Sequence, residues 1–359
     1  MLLDGFIISI VSFSLTFISV PLVNRFGKNF SLVDKPNERK QHDQPIVRVG
    51  GVSIFVGIFF SILLAFLFGL LDSNTSKAIP PILISSLLLF LVGFIDDIYS
   101  ISFLKRLIFQ ILVSTFAWKA GIRFDEFDTK FIHTELIEIK LPASLGFVFT
   151  NIWTVGIINA FNWLDGLDGL ATGITFLTSI AFIGLALNTG VGTPIFLMFA
   201  LSGACLGFLF YNYNPAKIFM GDGGSYLIGS LVAFFSIYLS NFDIQTSKES
   251  LNLISIFLIL FVPLADMSYV VFSRIAKGKL PFLPDRQHLH HRLLRLGFSP
   301  KESVILCYLI CILFCCISLG NIYPNLSFYF YSFSVLIDVY FLYINKDKFL
   351  KIAKRFFKA

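Results

Sequence analysis

The chain has 359 residues, of which 56% are hydrophobic, 16% aromatic and only 14% charged, and its mean hydropathy is +0.81. A soluble domain carries roughly 25% charged residues, so the composition excludes a soluble globular protein. Runs of about 20 apolar residues, the length of a bilayer-crossing helix, recur along the whole sequence and identify a polytopic membrane protein.

Eleven apolar segments predict spans at about 2–23, 50–71, 79–95, 103–120, 146–161, 171–188, 194–211, 225–240, 251–273, 302–320 and 326–345. The first holds Asp4, lacks a basic leading region and is long enough to span, so it reads as an anchor rather than a cleaved signal peptide. Arg25 and Lys28 follow it at once, which sets the N-terminus outside. The segments 24–49, 96–102, 162–170, 212–224 and 274–301 and the tail from 346 then lie in the cytoplasm. Of the 28 Lys and Arg, only Lys77, Lys119, Arg123, Lys130, Lys140 and Lys248 fall on the opposite side. Orientation by positive charge predicts that bias, so the net charge of +6 reflects topology and implies no nucleic-acid partner. The expected fold is an all-α membrane domain over 1–345, with about eleven transmembrane helices and the C-terminus in the cytoplasm.

Three features point to packing or anchoring. Cys205, Cys307, Cys311, Cys315 and Cys316 all sit in apolar runs and read as packing residues, not as disulfides or zinc ligands. Residues 122–144 alternate imperfectly and suggest a small external hairpin, with His133 in a solvated loop. The tail 346–359, KDKFLKIAKRFFKA, interleaves basic and apolar residues as an interfacial helix on anionic lipid would.

The chemistry-bearing motifs sort onto the cytoplasmic side. The third segment ends in GFIDDIYS, with Asp96 and Asp97 adjacent. The fifth ends in NAFNWLDGLDGLATG, with Asn159, Asn162, Asp165 and Asp168, and the next inner loop reads NPAKIFMGDGGS around Asp222. Five carboxylates converging at a low-dielectric boundary repel one another unless a cation joins them. Oxygen donors with few nitrogens favour Mg²⁺ or Mn²⁺ over zinc. The glycines of DGLDG and GDGGS, at the starts of two spans, let a phosphate approach a helix N-terminus. The loop HLHHRLLRLGF offers His288, His290, His291 and Arg292 as donors to a diphosphate. The first loop adds Lys35, Arg39, Lys40, His42 and Arg48. Divalent-metal carboxylates with cationic donors at a membrane surface suit phosphoryl transfer between a cytosolic nucleoside diphosphate compound and a lipid.

These motifs resemble the polyprenyl-phosphate N-acetylhexosamine-1-phosphate transferase family over roughly residues 30–300, in family order. HLHHRLL and eleven spans resemble its GlcNAc-1-phosphate branch more than its MurNAc-pentapeptide branch. The resemblance implies a bacterial inner-membrane enzyme in which undecaprenyl phosphate attacks a UDP-N-acetyl sugar, UMP leaves, and Mg²⁺ is required. It implies Asp222 as the main metal ligand with Asp97 beside it, and Asp96, Asp97, Asp165, Asp168 and His290 in catalysis. It implies Lys35, Arg39, His42, Asn159, Asn162, His288, His291 and Arg292 in substrate binding. A homodimer is compatible with it. The family often continues its aspartate pair as DDxxD, but here Ser100 stands at the last position.

The acceptor is largely dianionic at neutral pH, because a phosphate monoester's second pKa lies near 6. Little proton abstraction is needed, so the aspartates are expected chiefly to position metal and lipid phosphate. A covalent aspartyl-phosphate route stays open. Donor identity (GlcNAc, GalNAc, QuiNAc or FucNAc) also stays open, with 274–299 as the deciding loop. A lipid-linked sugar transporter is the rival from another class. It should carry midplane charges and internal repeats, whereas only Asp266 and Asp338 lie inside spans and no repeat is visible.

Overall fold

The computed structural model describes residues 1–34, 45–71, 76–128, 138–246, 253–278, 287–346 and 348–349. Every apolar segment is helical, as backbone groups in hydrocarbon must be satisfied within the segment. The helices are α1 (Leu2–Asn29), α2 (Gly51–Leu67), α3 (Ile79–Tyr99), α4 (Phe103–Lys119), α5 (Ala143–Leu164), α6 (Leu170–Thr189), α7 (Phe196–Asn212) and α8 (Gly221–Thr246). They continue with α9 (Leu253–Ile259), α10 (Phe261–Ala276), α11 (Leu289–Arg295), α12 (Pro300–Ile322) and α13 (Ser327–Ile344). Eight of the described helices are long and apolar enough to cross a membrane. A ninth span would be the pair α9–α10, whose axes bend by 80°. The sequence suggested one straight helix there. Pro263 has no N–H to give the carbonyl of Ile259, the last residue of α9, so the ladder breaks between the two. Helices α2 and α4 have 17 residues each.

α7 and α8 form the centre, buried along most of their described length, while α13 rests on the outside with only Ser334 buried. Lipid gives helices no hydrophobic reason to associate, so small residues that admit close backbone approach set the contacts. Gly203 of α7 lies against the backbone of Ser9 on α1, and Ser12 donates to the Ala200 carbonyl at 2.7 Å. Gly51 of α2 and Gly93 of α3 both lie against the backbone at the start of α8. These two contacts bring three helix ends together at the polar end of the bundle.

Two strand pairs complete the fold. β1 (Val33–Asp34) pairs antiparallel with β2 (Ile46–Val47), Val33 opposite Val47. The chain after β2 is then tied to the segment before α8. Phe219 N donates to Val47 O at 2.8 Å, Gly50 N to Phe219 O at 2.9 Å and Gly51 N to Met220 O at 2.8 Å. The expected hairpin within 122–144 is present as β3 (Glu126–Asp128) antiparallel to β4 (Glu138–Lys140), while His133 lies outside the described residues. All five cysteines are free and buried. Most of the basic tail lies outside the described residues; at its start Lys348 pairs with Glu302 at 2.5 Å.

Candidate active site

The head of α8 organises the site. Gly221 adopts φ +77°, and a Cβ there would sit 2.6 Å from Asp97 Oδ2 and run into the Arg48 carbonyl. Glycine therefore lets the Asp97 carboxylate reach the first turn of α8 from the neighbouring helix. Asp97 Oδ1 accepts from Asp222 N and Oδ2 from Gly223 N, both at 2.9 Å. A carboxylate at a helix N-terminus satisfies otherwise unpaired N–H groups and the positive end of the helix dipole. Arg48 donates to the same Oδ1 through Nη2 at 3.0 Å and Nε at 3.3 Å. Its Nη2 also lies 3.7 Å from Asp222 Oδ2. On the other side of Asp222, Asn162 of α5 donates to Oδ1 at 2.5 Å and to Ser225 Oγ at 3.0 Å.

The adjacent carboxylate has a different task. Asp96 accepts from Ile101 N at 2.5 Å and from Arg106 Nη1 at 2.6 Å, which closes the turn between α3 and α4. Ser100, at the position where the motif departs from the family pattern, adopts a left-handed φ of 51° in that turn.

The DGLDG turn joins α5 to α6 through Gly169, at φ +80°. Asn212 accepts from Gly169 N at 3.1 Å and Thr172 Oγ1 at 3.0 Å, and donates to Ile218 O at 3.0 Å. Asp168 accepts from Asn214 Nδ2 at 2.9 Å and Ala216 N at 3.0 Å. These bonds fasten the turn to the loop that leads into α8. Asp165 is half-buried on the cavity wall. Loss of solvent, followed by the nearby charges of Asp222, Asp97 and Asp168, pushes its pKa up to about 8.

The histidines separate into three environments. His288 is locked to Asp266 of α10, Nδ1 to Oδ2 at 2.8 Å, while Leu289 N donates to Asp266 Oδ1 at 2.5 Å. Trp163 packs edge-on against His288, and the Arg274 guanidinium lies 5.1 Å from the Trp163 ring centre. His290 is buried against Gly166, where a Cβ would come within 2.5 Å of Nε2. Burial, with His291 and His288 close by, lowers its pKa to about 3, so it is neutral at any working pH. His291 reaches the cavity, and Arg292 lies over the Tyr269 ring at 4.2 Å.

The cavity encloses about 1370 Å³ at the polar end. Of the residues singled out from sequence, Arg48, Asn162, Asp165, Asp168, Asp222 and His291 line it, joined by Asn24, Lys28, Asn214 and Lys217. Asp97 stands directly behind Asp222. Asp96, Asn159, His288, His290 and Arg292 lie off the wall. Asn159 points along α5, donating to Gln110 Oε1 and Val155 O, each at 2.8 Å. Lys35, Arg39 and His42 lie outside the described residues.

Residues 79–240 match the model of glycosyl transferase family 4. The chain is 33% identical over 305 residues to the probable undecaprenyl-phosphate N-acetylglucosaminyl 1-phosphate transferase of Bacillus subtilis (strain 168), covering 85% of this chain and 81% of that one. This chain belongs to glycosyl transferase family 4. The decaprenyl-phosphate N-acetylglucosaminephosphotransferase of Mycolicibacterium smegmatis is 32% identical over 312 residues, 82% of this chain and 76% of its own. The undecaprenyl-phosphate alpha-N-acetylglucosaminyl 1-phosphate transferase of Escherichia coli (strain K12) is 32% identical over 306 residues, 84% and 78%.

The matched family 4 stretch runs from α3 to α8 and holds Asp96, Asp97, Asn159, Asn162, Asp165, Asp168 and Asp222. Sequence reasoning passed over two groups that support it. Arg106 lies ten positions beyond Asp96, in the first turn of α4, and its only sequence signal is the Lys105–Arg106 pair in an otherwise apolar segment. Asn212 and Asn214 carry no signal beyond their polarity, yet they hold the two glycine-rich turns together.

Proposed function

We propose that the protein transfers N-acetylglucosamine 1-phosphate from its UDP-sugar to undecaprenyl phosphate, releasing UMP, at the cytoplasmic face of a bacterial plasma membrane. The reading rests above all on the cavity at the head of α8, where Asp222, Asp165 and Asn162 from separate helices meet. The activities named for relatives that align with more than four-fifths of the chain support the acceptor and the transferred group. In this reading the chain crosses the membrane eleven times with its N-terminus outside: α2, α4 and the bent pair α9–α10 would join the eight long apolar helices, and the bias of Lys and Arg toward one side supports the orientation.

The residues present fit Mg²⁺. Asp222 and Asp165 are hard oxygen donors on one cavity wall. The pKa of Asp165 is raised first by loss of solvent and then by the charges of Asp222, Asp97 and Asp168, and a cation there would offset both. Among the described residues no three His, Cys, Asp or Glu side chains form a closed metal cage. Mg²⁺ commonly takes one or two carboxylates and completes its shell with water and substrate phosphate. Asp222 and Asp165 would hold it; when bound, it would neutralise diphosphate charge and favour departure of UMP.

The protein's own groups do the rest. Asp97 fixes the first turn of α8 and so aims Asp222, while Asn162 holds Asp222 from the opposite side. Asp168 and Asn212 keep the cavity floor rigid. His291 and Lys217 present positive or donor groups toward the donor phosphates. His290, buried against Gly166 and kept neutral by that burial, shapes the loop beneath His291. The acceptor phosphate arrives already ionised, so attack needs positioning rather than a strong base.

The test is UMP release by the purified full chain with Mg²⁺, undecaprenyl phosphate and a panel of UDP-N-acetyl sugars and UDP-MurNAc-pentapeptide. Release with UDP-GlcNAc alone is expected, and Asp222→Asn should lower it at least about 100-fold with folding retained. Release with a different sugar would move the donor assignment, and silence with every donor would refute the reading.

A further inference from the structure

Arg48 stands in a position that the neutralisation of Asp97 does not require. Both Asp97 oxygens already accept main-chain N–H groups from α8. Arg48 adds two donors to one of those oxygens and extends to within 3.7 Å of Asp222 Oδ2. Its own backbone is held rigidly, because Arg48 N donates to Leu32 O at 3.2 Å and its carbonyl packs against Gly221. The side chain stays 33% exposed and forms part of the cavity wall beside Asp165 and Lys217. A purely structural counterion would be expected to turn its whole fork to the carboxylates. Here Nε and Nη2 make the hydrogen bonds, while the exposed part of the guanidinium belongs to the cavity.

Resting on the function proposed above, we infer that Arg48 contacts substrate: its guanidinium binds the diphosphate of the nucleotide donor while it stays seated against Asp97. The planar fork matches phosphate oxygens in a bidentate way that a lysine cannot reproduce. The acceptor lipid also carries a phosphate. Arg48 lies on the wall of the cavity, with Lys217 and Asn214, and the donor is the water-soluble substrate that such a cavity admits. Arg106, the other arginine paired with the aspartate doublet, is off that wall.

The test compares wild type with Arg48→Gln and Arg48→Lys, as full chains in detergent with Mg²⁺. UDP binding is measured by calorimetry, and UMP release is measured while UDP-GlcNAc and undecaprenyl phosphate are varied separately. Hydrogen bonds to charged groups are worth about 1.5–3 kcal/mol, so Arg48→Gln should bind UDP roughly 10- to 100-fold more weakly. The KM for UDP-GlcNAc should rise and that for the lipid stay unchanged. Arg48→Lys should recover part of the loss. Wild-type UDP affinity in Arg48→Gln, with only a lower Tm, would reduce Arg48 to a structural counterion and overturn the inference. An effect confined to the lipid KM would overturn the assignment to the donor. If Arg48→Gln does not fold, Arg48→Lys decides: a raised donor KM at unchanged Tm supports the contact, and a wild-type KM sinks it. Failure of wild type to bind UDP or release UMP would instead count against the proposed reaction.

Discussion

Replacing Gly93 with Ala should damage the site from behind, through a backbone contact with Asp222 on the far side of the cavity wall. A Cβ at Gly93 would fall on the Asp222 carbonyl, 2.6 Å from its carbon and 2.7 Å from Gly223 N. These are backbone atoms in the first turn of α8, so no side chain can swing aside. The nearest atom, the Asp222 carbonyl oxygen, would lie 2.4 Å away, so restoring an ordinary contact of about 3.4 Å requires α3 and α8 to separate by roughly 1.0 Å. Asp97 rides on α3 one turn further on, and its bond to Gly223 N is 2.9 Å. The same displacement would lengthen that bond to roughly 3.9 Å, beyond hydrogen-bonding distance. Overpacking of this kind costs about 1–3 kcal/mol, and loosening the carboxylate cap adds to it. We expect a fall in Tm and at least a tenfold drop in UMP release with UDP-GlcNAc. The control is Gly156→Ala, where the nearest atom, Met267 Cε, is 3.7 Å away. That change should alter stability by less than about 1 kcal/mol and leave turnover intact. Wild-type activity and Tm in Gly93→Ala would show that the α3–α8 approach does not aim Asp222.

Further expectations concern charge and the histidine loop. Asp165 has a folded-state pKa of about 8, against about 3.9 for an unperturbed aspartate. Between those values the unfolded chain ionises while the folded one keeps its proton, so metal-free stability should fall as pH rises from about 4 to about 8. Thermal melts in EDTA should show that decline, and Asp165→Asn should flatten it; equal slopes would refute the assignment. For His290 the sign reverses. A pKa lowered to about 3 means that stability is lost as pH falls from about 6.5 toward 3, and His290→Gln should remove that part of the acid sensitivity in melts. Asp266→Asn weakens the hold on His288 and on Leu289 N. It should cost about 1–3 kcal/mol of stability and raise the donor KM more than it lowers kcat, whereas a stability loss with an unchanged KM would confine Asp266 to folding.

What the sequence could and could not reveal follows from the solvent each part sees. The helical segments were legible because hydrocarbon enforces one backbone solution, and apolar length is all that is needed to find it. The break at Leu260 was also written in the sequence, as Pro263, but a hydropathy reading does not weigh a single missing N–H. At the site, residue type was legible and role was not. Asp96 and Asp97 are adjacent and chemically identical, yet neighbours on a helix project about 100° apart. Asp96 therefore meets Arg106, the α4 turn and the Asp222 side chain, while Asp97 meets the α8 backbone and Arg48. Asn159 and Asn162 share a face of α5, but Asn159 lies one turn further from the cavity and meets Gln110 of α4, while Asn162 meets Asp222. Asp168 lines the cavity near Asp165 and also holds the loop before α8, its Oδ2 accepting from both Asn214 Nδ2 and Ala216 N. Asp165, Asp168 and Asp222 thus face the pocket, while Asp96 and Asp97 stand off its wall. The charges of Asp222, Asp97 and Asp168 all act on Asp165, a crowding that a divalent cation would relieve. Asp168→Asn keeps an oxygen acceptor for Asn214 and Ala216 and removes only the charge, so it should leave Tm nearly unchanged and lower cation affinity less than Asp222→Asn does.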